Sequence, residues 1–326
     1  MTDTSTRAAF RSELGALMAE LLKEKRLLGY KYQSGEVLLH NLDRFLADAG
    51  LAQAALPREL AECWAKRKAN ERASSHAARV GFLRRFATFL HRRGIEAYLI
   101  EPVARTQWET DFAPFIFTRA QMRAMFAAVD KMPPVREAPG RECLLPFLFR
   151  LLYCCGLRIG EALRLELRDV DVERGILHIR EGKFRYDRLV PLSAAMHERL
   201  KVYLTMRYSP QKSVYLFPSR YGGAYSQRSV CWVFRRLLFA SGIGHGGRGR
   251  GPRLHDLRHT FAVHRLEHWY RQGGNLANQL PALSAYMGHR SLFGTQRYLR
   301  ITSALFPDIA SRMNAFNGWL IPRRVH

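Results

Sequence analysis

Apolar residues recur at three- and four-residue intervals along the first hundred positions, the spacing that gives a helix one buried stripe. Phe10, Leu14, Leu17, Met18, Leu21, Leu22 and Leu28 form the first stripe, with Gly29 placed to end it. Val37, Leu38, Leu42, Phe45 and Leu46 form a second after Ser34, closing at Gly50. Pro57 opens a third helix through Trp64, because a first helical turn tolerates proline. The spacing predicts a fourth helix from about 75 to 94, with Phe82, Phe86 and Phe89 on one side. Periodicity then lapses over 101–116, a stretch with two prolines that reads as a linker. Two domains are therefore expected, over residues 1–105 and 106–326, with a tail from about 302.

The second domain is predicted to start with a Thr118-x-x-Gln121 capping box. A very apolar helix follows the Pro133-Pro134 break and ends near Gly156. Ile176–Arg180 and Leu189–Leu192 flank a polar turn, Glu181 to Asp187, and read as a β-hairpin. The helical pattern resumes after Pro191 through Tyr208, again over Ser226 to Ala240, and again over Arg258 to Arg271. The expected fold class is mainly α, with a small β-hairpin or antiparallel sheet in the second domain.

Charge changes this picture more than composition does. With 47% hydrophobic residues the chain can bury a core, but 52 Lys plus Arg against 28 Asp plus Glu leave +24. A surplus of that size repels itself and calls for a polyanionic partner, nucleic acid before a membrane surface. The most apolar stretch, Cys143 to Leu157, is too short to span a bilayer and carries Arg150. The first residues, MTDTSTRAAF, hold no apolar signal region, so a cytoplasmic, nucleoid-associated protein is expected. Five cysteines without a C-x-x-C pair suggest neither disulfides nor a zinc site, and no metal is expected. The predicted fourth helix has Arg79, Arg84, Arg85, Arg92 and Arg93 with no acid from His76 to Arg93. It reads either as a phosphate-contacting surface or as a solvated face. Gly242 to Gly251 formally contains G-x-G-x-x-G, but a helix precedes it where a dinucleotide site needs a strand. A basic loop near a phosphate backbone, with Arg248 and Arg250, is the better reading.

Four short segments hold the candidate chemistry. Gly156-Leu157-Arg158-Ile159-Gly160-Glu161 follows the apolar helix, and Lys183 lies in the hairpin turn. His255-Asp256-Leu257-Arg258-His259-Thr260 follows the glycine loop, and Met287-Gly288-His289 comes shortly before Thr295-Gln296-Arg297-Tyr298. Each alone has an ordinary reading as a cap, an exposed turn or a core residue. Together they supply cations for nonbridging phosphate oxygens, proton donors and a phenolic nucleophile.

In this combination the chain resembles the tyrosine recombinase (phage integrase) family. That family has an Arg in a G-L-R-x-x-E context, a Lys in a β-hairpin, H-x-x-R, a G-H step and a Tyr nine residues beyond that His. Arg158 with Glu161, Lys183, His255 with Arg258, Gly288-His289 and Tyr298 match these in order. The motifs cover roughly residues 114–300, and the N-terminal helices look like the family's core-binding, SAM-like DNA-binding domain. The resemblance implies a two-domain clamp on double-stranded DNA, without cofactor or metal. Tyr298 would attack the scissile phosphate, leaving a 3′-phosphotyrosyl bond and a free 5′-hydroxyl. Arg158, Arg258 and His289 would hold the nonbridging oxygens, Lys183 would protonate the leaving 5′-oxygen, and His255 would accept the Tyr298 proton. Glu161 would orient the Arg158 and His255 region. Strand exchange would need four protomers, either of this chain alone or with related recombinases. The apolar tail after Thr302 would dock on a neighbouring protomer or on its own domain. The chain departs from the family in carrying Arg300 where many relatives have His, and in a longer basic stretch before His255. Integration or excision of a mobile element is the expected role, the alternatives being a type IB-like topoisomerase or an idle DNA-binding accessory protein.

Overall fold

A computed structural model describes residues 10–103, 114–180, 187–208, 213–247 and 251–289, together with Thr295 and Tyr298. The chain divides into two compact units, Met1–Phe112 and Ala113–His326.

The first unit contains four helices: α1 (Gly15–Leu27), α2 (Gln33–Asp48), α3 (Arg58–Ala65) and α4 (Ala73–His91). Their stripes meet in one core, in which Leu14, Met18, Leu39, Leu42, Leu46, Leu83 and Leu90 are fully buried beside Phe82 and Phe86. Asp43 ties the start of the unit down by accepting the backbone N–H groups of Arg11 (2.9 Å) and Ser12 (2.9 Å). Pro57 stands one position earlier than the sequence suggests, as the extended residue before α3.

The second unit is built around α6 (Arg141–Cys154), which packs against α5 (Arg119–Asp130), α8 (Ala194–Met206) and α10 (Asp256–Arg271). Leu144, Leu145, Phe147, Leu148, Phe149, Leu151 and Leu152 are all buried, as expected of a helix apolar on every side. That central position explains the most apolar stretch of the chain. No helix among the described residues is long and apolar enough to cross a membrane. Arg150 is accommodated within this core by two bonds to Asp130, at 2.6 and 2.5 Å. The Thr118–Gln121 capping box forms at the start of α5.

The sheet has three antiparallel strands in the order β1 (Val170–Asp171), β2 (Ile176–Ile179), β3 (Arg188–Pro191). Leu177 pairs with Val190, both buried, and Ile179 with Arg188. The hairpin is as the sequence predicts; β1 adds only two residues, too few to leave a pattern. Two helices also escape the periodicity. The first, α7 (Ile159–Arg164), is barely more than one turn, and α11 (Leu276–Met287) carries Pro281 inside it. Helix α10 starts at Asp256, so the His255–Thr260 motif is itself the helix entry. Helix α9 (Gln227–Ala240), packed against α5, starts at the Ser226 cap.

Candidate active site

The first part of the site is a turn. After α6 the backbone takes a positive φ of +59° at Gly156, where a Cβ would lie 2.4 Å from the Phe261 ring. Only glycine fits a left-handed position that tightly packed. The turn delivers Arg158 as the extended residue before α7, and Glu161 closes on it three residues later. The Arg158 guanidinium donates to Glu161 Oε1 at 2.6 Å and its backbone N–H to Oε2 at 3.1 Å. A second cation reaches the same carboxylate from β3: Arg188 donates to Oε2 at 2.9 Å and to Oε1 at 3.3 Å. Strand alternation puts Arg188 on the face of buried Val190, so it points inward. Glu161 is only 4% exposed. Burial alone would raise its carboxyl, but the bonds and charge of Arg188, then Arg158, hold it at about 2.

The second part hangs on α10 and on the turn after α11. Arg258 is 1% exposed and donates to the carbonyls of Gly156 (2.5 Å) and Met287 (2.6 Å). Arg158 reaches the next carbonyl, Gly288, at 3.2 Å. The two arginines are thus anchored through the same stretch of backbone. Arg188 also donates to Tyr286 at 2.9 Å, and Gly288, at φ +66°, leaves room for it: a Cβ there would stand 2.9 Å from Arg188 Nη1. Burial first, then Arg158, draws the Arg258 guanidinium down to about 9, still charged at neutral pH.

Three histidines and Tyr298 complete the cluster. His259 Nδ1 lies 2.9 Å from the Tyr298 hydroxyl, and the ring of His255 meets His259 edge-on at 4.8 Å. His289 Nδ1 engages Thr295 Oγ1 at 2.8 Å, and its ring lies alongside that of Tyr298 at 6.1 Å. Tyr298 is 2% exposed and belongs to the core formed with Phe261, Leu266 and Met287. Enclosure by protein, then His259, Arg258 and Arg158, lowers His255 to about 4, although the ring keeps an exposed edge. Burial, followed by Arg258 and Arg158, lowers His289 to about 3. Both rings are neutral at pH 7.

Of the residues singled out from sequence, Arg158, Glu161, His255, Arg258, His289 and Tyr298 come together here. Lys183, Arg248 and Arg250 lie outside the described residues, as does the tail from 302. Glu161 does only part of what was expected of it: the bonds found for it run to Arg158 and Arg188. Sequence reasoning missed Arg188 and His259. The strand alternation hinted at the first, and adjacency to Arg258, one turn on from His255, hinted at the second.

The first unit corrects the reading of α4. Arg79 is buried, clasped by Glu71 at 2.8 and 2.7 Å, and it donates to the Trp64 and Lys66 carbonyls. Its guanidinium is engaged inside the fold and is not a phosphate contact. Arg84 donates to the Ile100 carbonyl, and Arg93 pairs with Glu20 at 2.6 Å. The helix lacks acids along its sequence but meets them in space. Arg85 and Arg92 remain exposed.

A phenol packed beside two buried or half-buried guanidiniums and neutral imidazoles is an arrangement that can stabilise an oxyanion forming on a phosphate. The model of the phage integrase family matches residues 116–304. A Sinorhizobium fredii protein named as an integrase/recombinase, y4rB, is 31% identical over 300 residues, 90% of this chain and 95% of that protein. The tyrosine recombinase XerA of Thermococcus kodakarensis is 30% identical over 192 residues, 58% of this chain and 59% of XerA. The chain belongs to the phage integrase family, the tyrosine recombinases, a class of enzymes that cleave and rejoin DNA strands. The fold agrees. XerH bound to its palindromic difH substrate superposes with a TM-score of 0.65 at 19% identity, over 91% of this chain and 84% of XerH. The Tn1549 transposon integrase with circular intermediate DNA gives 0.61 at 17%, over 86% and 94%.

Proposed function

We propose that this chain is a site-specific DNA recombinase that acts through a phosphotyrosyl intermediate on Tyr298 and serves the integration or excision of a mobile element. The observation that carries the reading is the meeting of Arg158, Arg258, His289 and Tyr298 around the Met287–His289 turn, three segments far apart in sequence. Tyr298 Oη attacks the phosphorus, and the bond to the 5′-oxygen breaks. The ester energy is kept in the covalent intermediate, so no nucleotide is consumed. Arg158 and Arg258 offer planar donor forks to the nonbridging oxygens, and His289, neutral, adds an N–H donor. Lys183, in the hairpin turn, supplies the proton to the leaving oxygen. Glu161 and Arg188 are positioning residues that fix the Arg158 fork.

The relatives support the substrate and the role. XerH is seen in a post-cleavage complex with DNA, and the Tn1549 integrase with the circular intermediate of a transposon. By the same analogy the helical first unit grips duplex DNA, with exposed Arg85 on α4 and exposed Arg92 just past its end, and four protomers complete an exchange. The basic loop carrying Arg248 and Arg250 adds backbone contacts. The protein works on the nucleoid in the cytoplasm.

The test is recovery of DNA bound covalently to the chain in cells that carry its element. The proposal expects fragments sharing one short sequence, joined to the unmutated chain and absent from Tyr298→Phe. Relaxation of any supercoiled plasmid, with no shared sequence and no strand exchange, would replace it with a topoisomerase.

A further inference from the structure

The phenol of the nucleophile has a defined partner, and it is not the histidine of the H-x-x-R motif. We propose that His259 is the general base of the cleavage step, taking the Tyr298 proton on Nδ1 as the phenol attacks. This rests on the reading of Tyr298 as the nucleophile.

The geometry separates the three histidines. His259 Nδ1 is 2.9 Å from Tyr298 Oη, a direct hydrogen bond between side chains buried together. His255 meets His259 rather than the phenol, with the rings 4.8 Å apart and at 88°. One helical turn separates them on α10, so His259 lies on the Tyr298 side and His255 keeps an edge to solvent. His289 is alongside Tyr298, but its Nδ1 is engaged with Thr295. A general base must first be within reach of the proton it removes. Among the described histidines, the direct bond to the phenol is made by His259.

The proposal requires the His259 proton on Nε2, so that Nδ1 presents its lone pair to the phenol. In the step, the Oη–H bond breaks, Nδ1–H forms, Oη–P forms and P–O5′ breaks. The 5′-oxygen takes its proton from the acid, assigned above to Lys183. The imidazolium then returns its proton to Tyr298 Oη when the strand is rejoined, so the cycle closes without a co-reactant.

The test is single-turnover cleavage by the full chain, on a nicked substrate built from the recovered site, with three variants. In His259→Asn the side-chain amide stands where Nδ1 stands, so it can hold the phenol but cannot take a proton. His259→Ala removes both abilities, and His255→Asn is the contrast. The proposal expects His259→Asn and His259→Ala to lose about 100-fold or more of the rate. DNA affinity and melting temperature should be nearly unchanged in His259→Asn, and His255→Asn should lose much less. Replacing Tyr298 with 3,5-difluorotyrosine, whose phenol ionises near neutral pH, should restore most of the rate to His259→Asn. A structural role would not respond to phenol acidity. Three results overturn the assignment: His259→Asn as fast as the unmutated chain, His259→Ala faster than it, or fluorotyrosine rescuing His255→Asn instead. If the unmutated chain forms no adduct through Tyr298, the reading of function fails, and the base assignment falls with it.

Discussion

One carboxylate, that of Glu161, holds two arginines in place, and its burial makes that arrangement sensitive to acid and to substitution. The folded pKa of about 2 lies below the ordinary 4.5, so the stabilisation is fully present above about 4.5 and is lost as pH falls through about 2. The difference corresponds to about 3 kcal/mol. Glu161→Gln leaves Arg158 and Arg188 facing each other without the countercharge. Urea denaturation at pH 7 should show a loss of about that size, and the mutant should lose the unmutated chain's acid-dependent drop between pH 4.5 and 2. Arg188→Ala should lower the cleavage rate without weakening DNA binding, because Arg188 orients the Arg158 fork rather than holding phosphate. Equal loss of binding and rate would make Arg188 a DNA contact. At this scale order and spacing along the chain were enough to single out Arg158, His255, Arg258, His289 and Tyr298, which the fold brings together. It did not disclose Arg188, whose bond to Glu161 joins positions 27 apart, nor that Arg79 turns inward onto Glu71.

At the scale of elements, signals confined to a few neighbouring residues were legible. The Thr118–Gln121 box and the β2–β3 hairpin both rest on local chemistry. Helix α11 was not legible, because Pro281 interrupts its pattern while its tertiary contacts with α10 and β3 hold it. The turn at Gly156 is the element the site depends on most. Gly156→Ala would put a methyl group into the Phe261 ring and strain a left-handed residue. Both displace the carbonyl that Arg258 uses. The expected result is a lower melting temperature together with a cleavage rate reduced more than DNA affinity, read by thermal denaturation and single-turnover assays. A stable, fully active Gly156→Ala would show that the turn does not set Arg258. The hairpin is tested through its lysine. Lys183→Ala should cleave ordinary DNA slowly, yet cleave a substrate with sulfur as the bridging 5′-atom nearly as fast as the unmutated chain, since a thiolate leaves without a proton. Failure of that rescue would move the acid elsewhere.

Over the whole molecule, the charge of +24 and the histidines with lowered pKa set the response to salt and pH. His255 and His264 are held at about 4 and His289 at about 3, each chiefly by burial, against an ordinary 6.5. The folded state therefore binds fewer protons than the unfolded one. The stability these neutral rings contribute is complete above about pH 6.5 and is lost as pH falls through about 4 and then 3. Urea denaturation from pH 7.5 down to 5 should show falling stability, still present in high salt, where self-repulsion of the surplus charge is screened. Stability unchanged over that range would contradict the neutral histidines. DNA affinity should fall steeply with salt, by a log–log slope of about −0.9 per neutralised phosphate, and Arg85→Glu should flatten it if α4 grips the duplex. All of this presupposes that the cluster around the Met287–His289 turn is where DNA is joined to protein. The direct measurement is to digest the covalent protein–DNA complex and sequence the nucleotide-bearing peptide by mass spectrometry. A 3′-phosphonucleotide on Tyr298 alone is the expected result. A nucleotide on any other side chain, or a 5′ linkage, would contradict it.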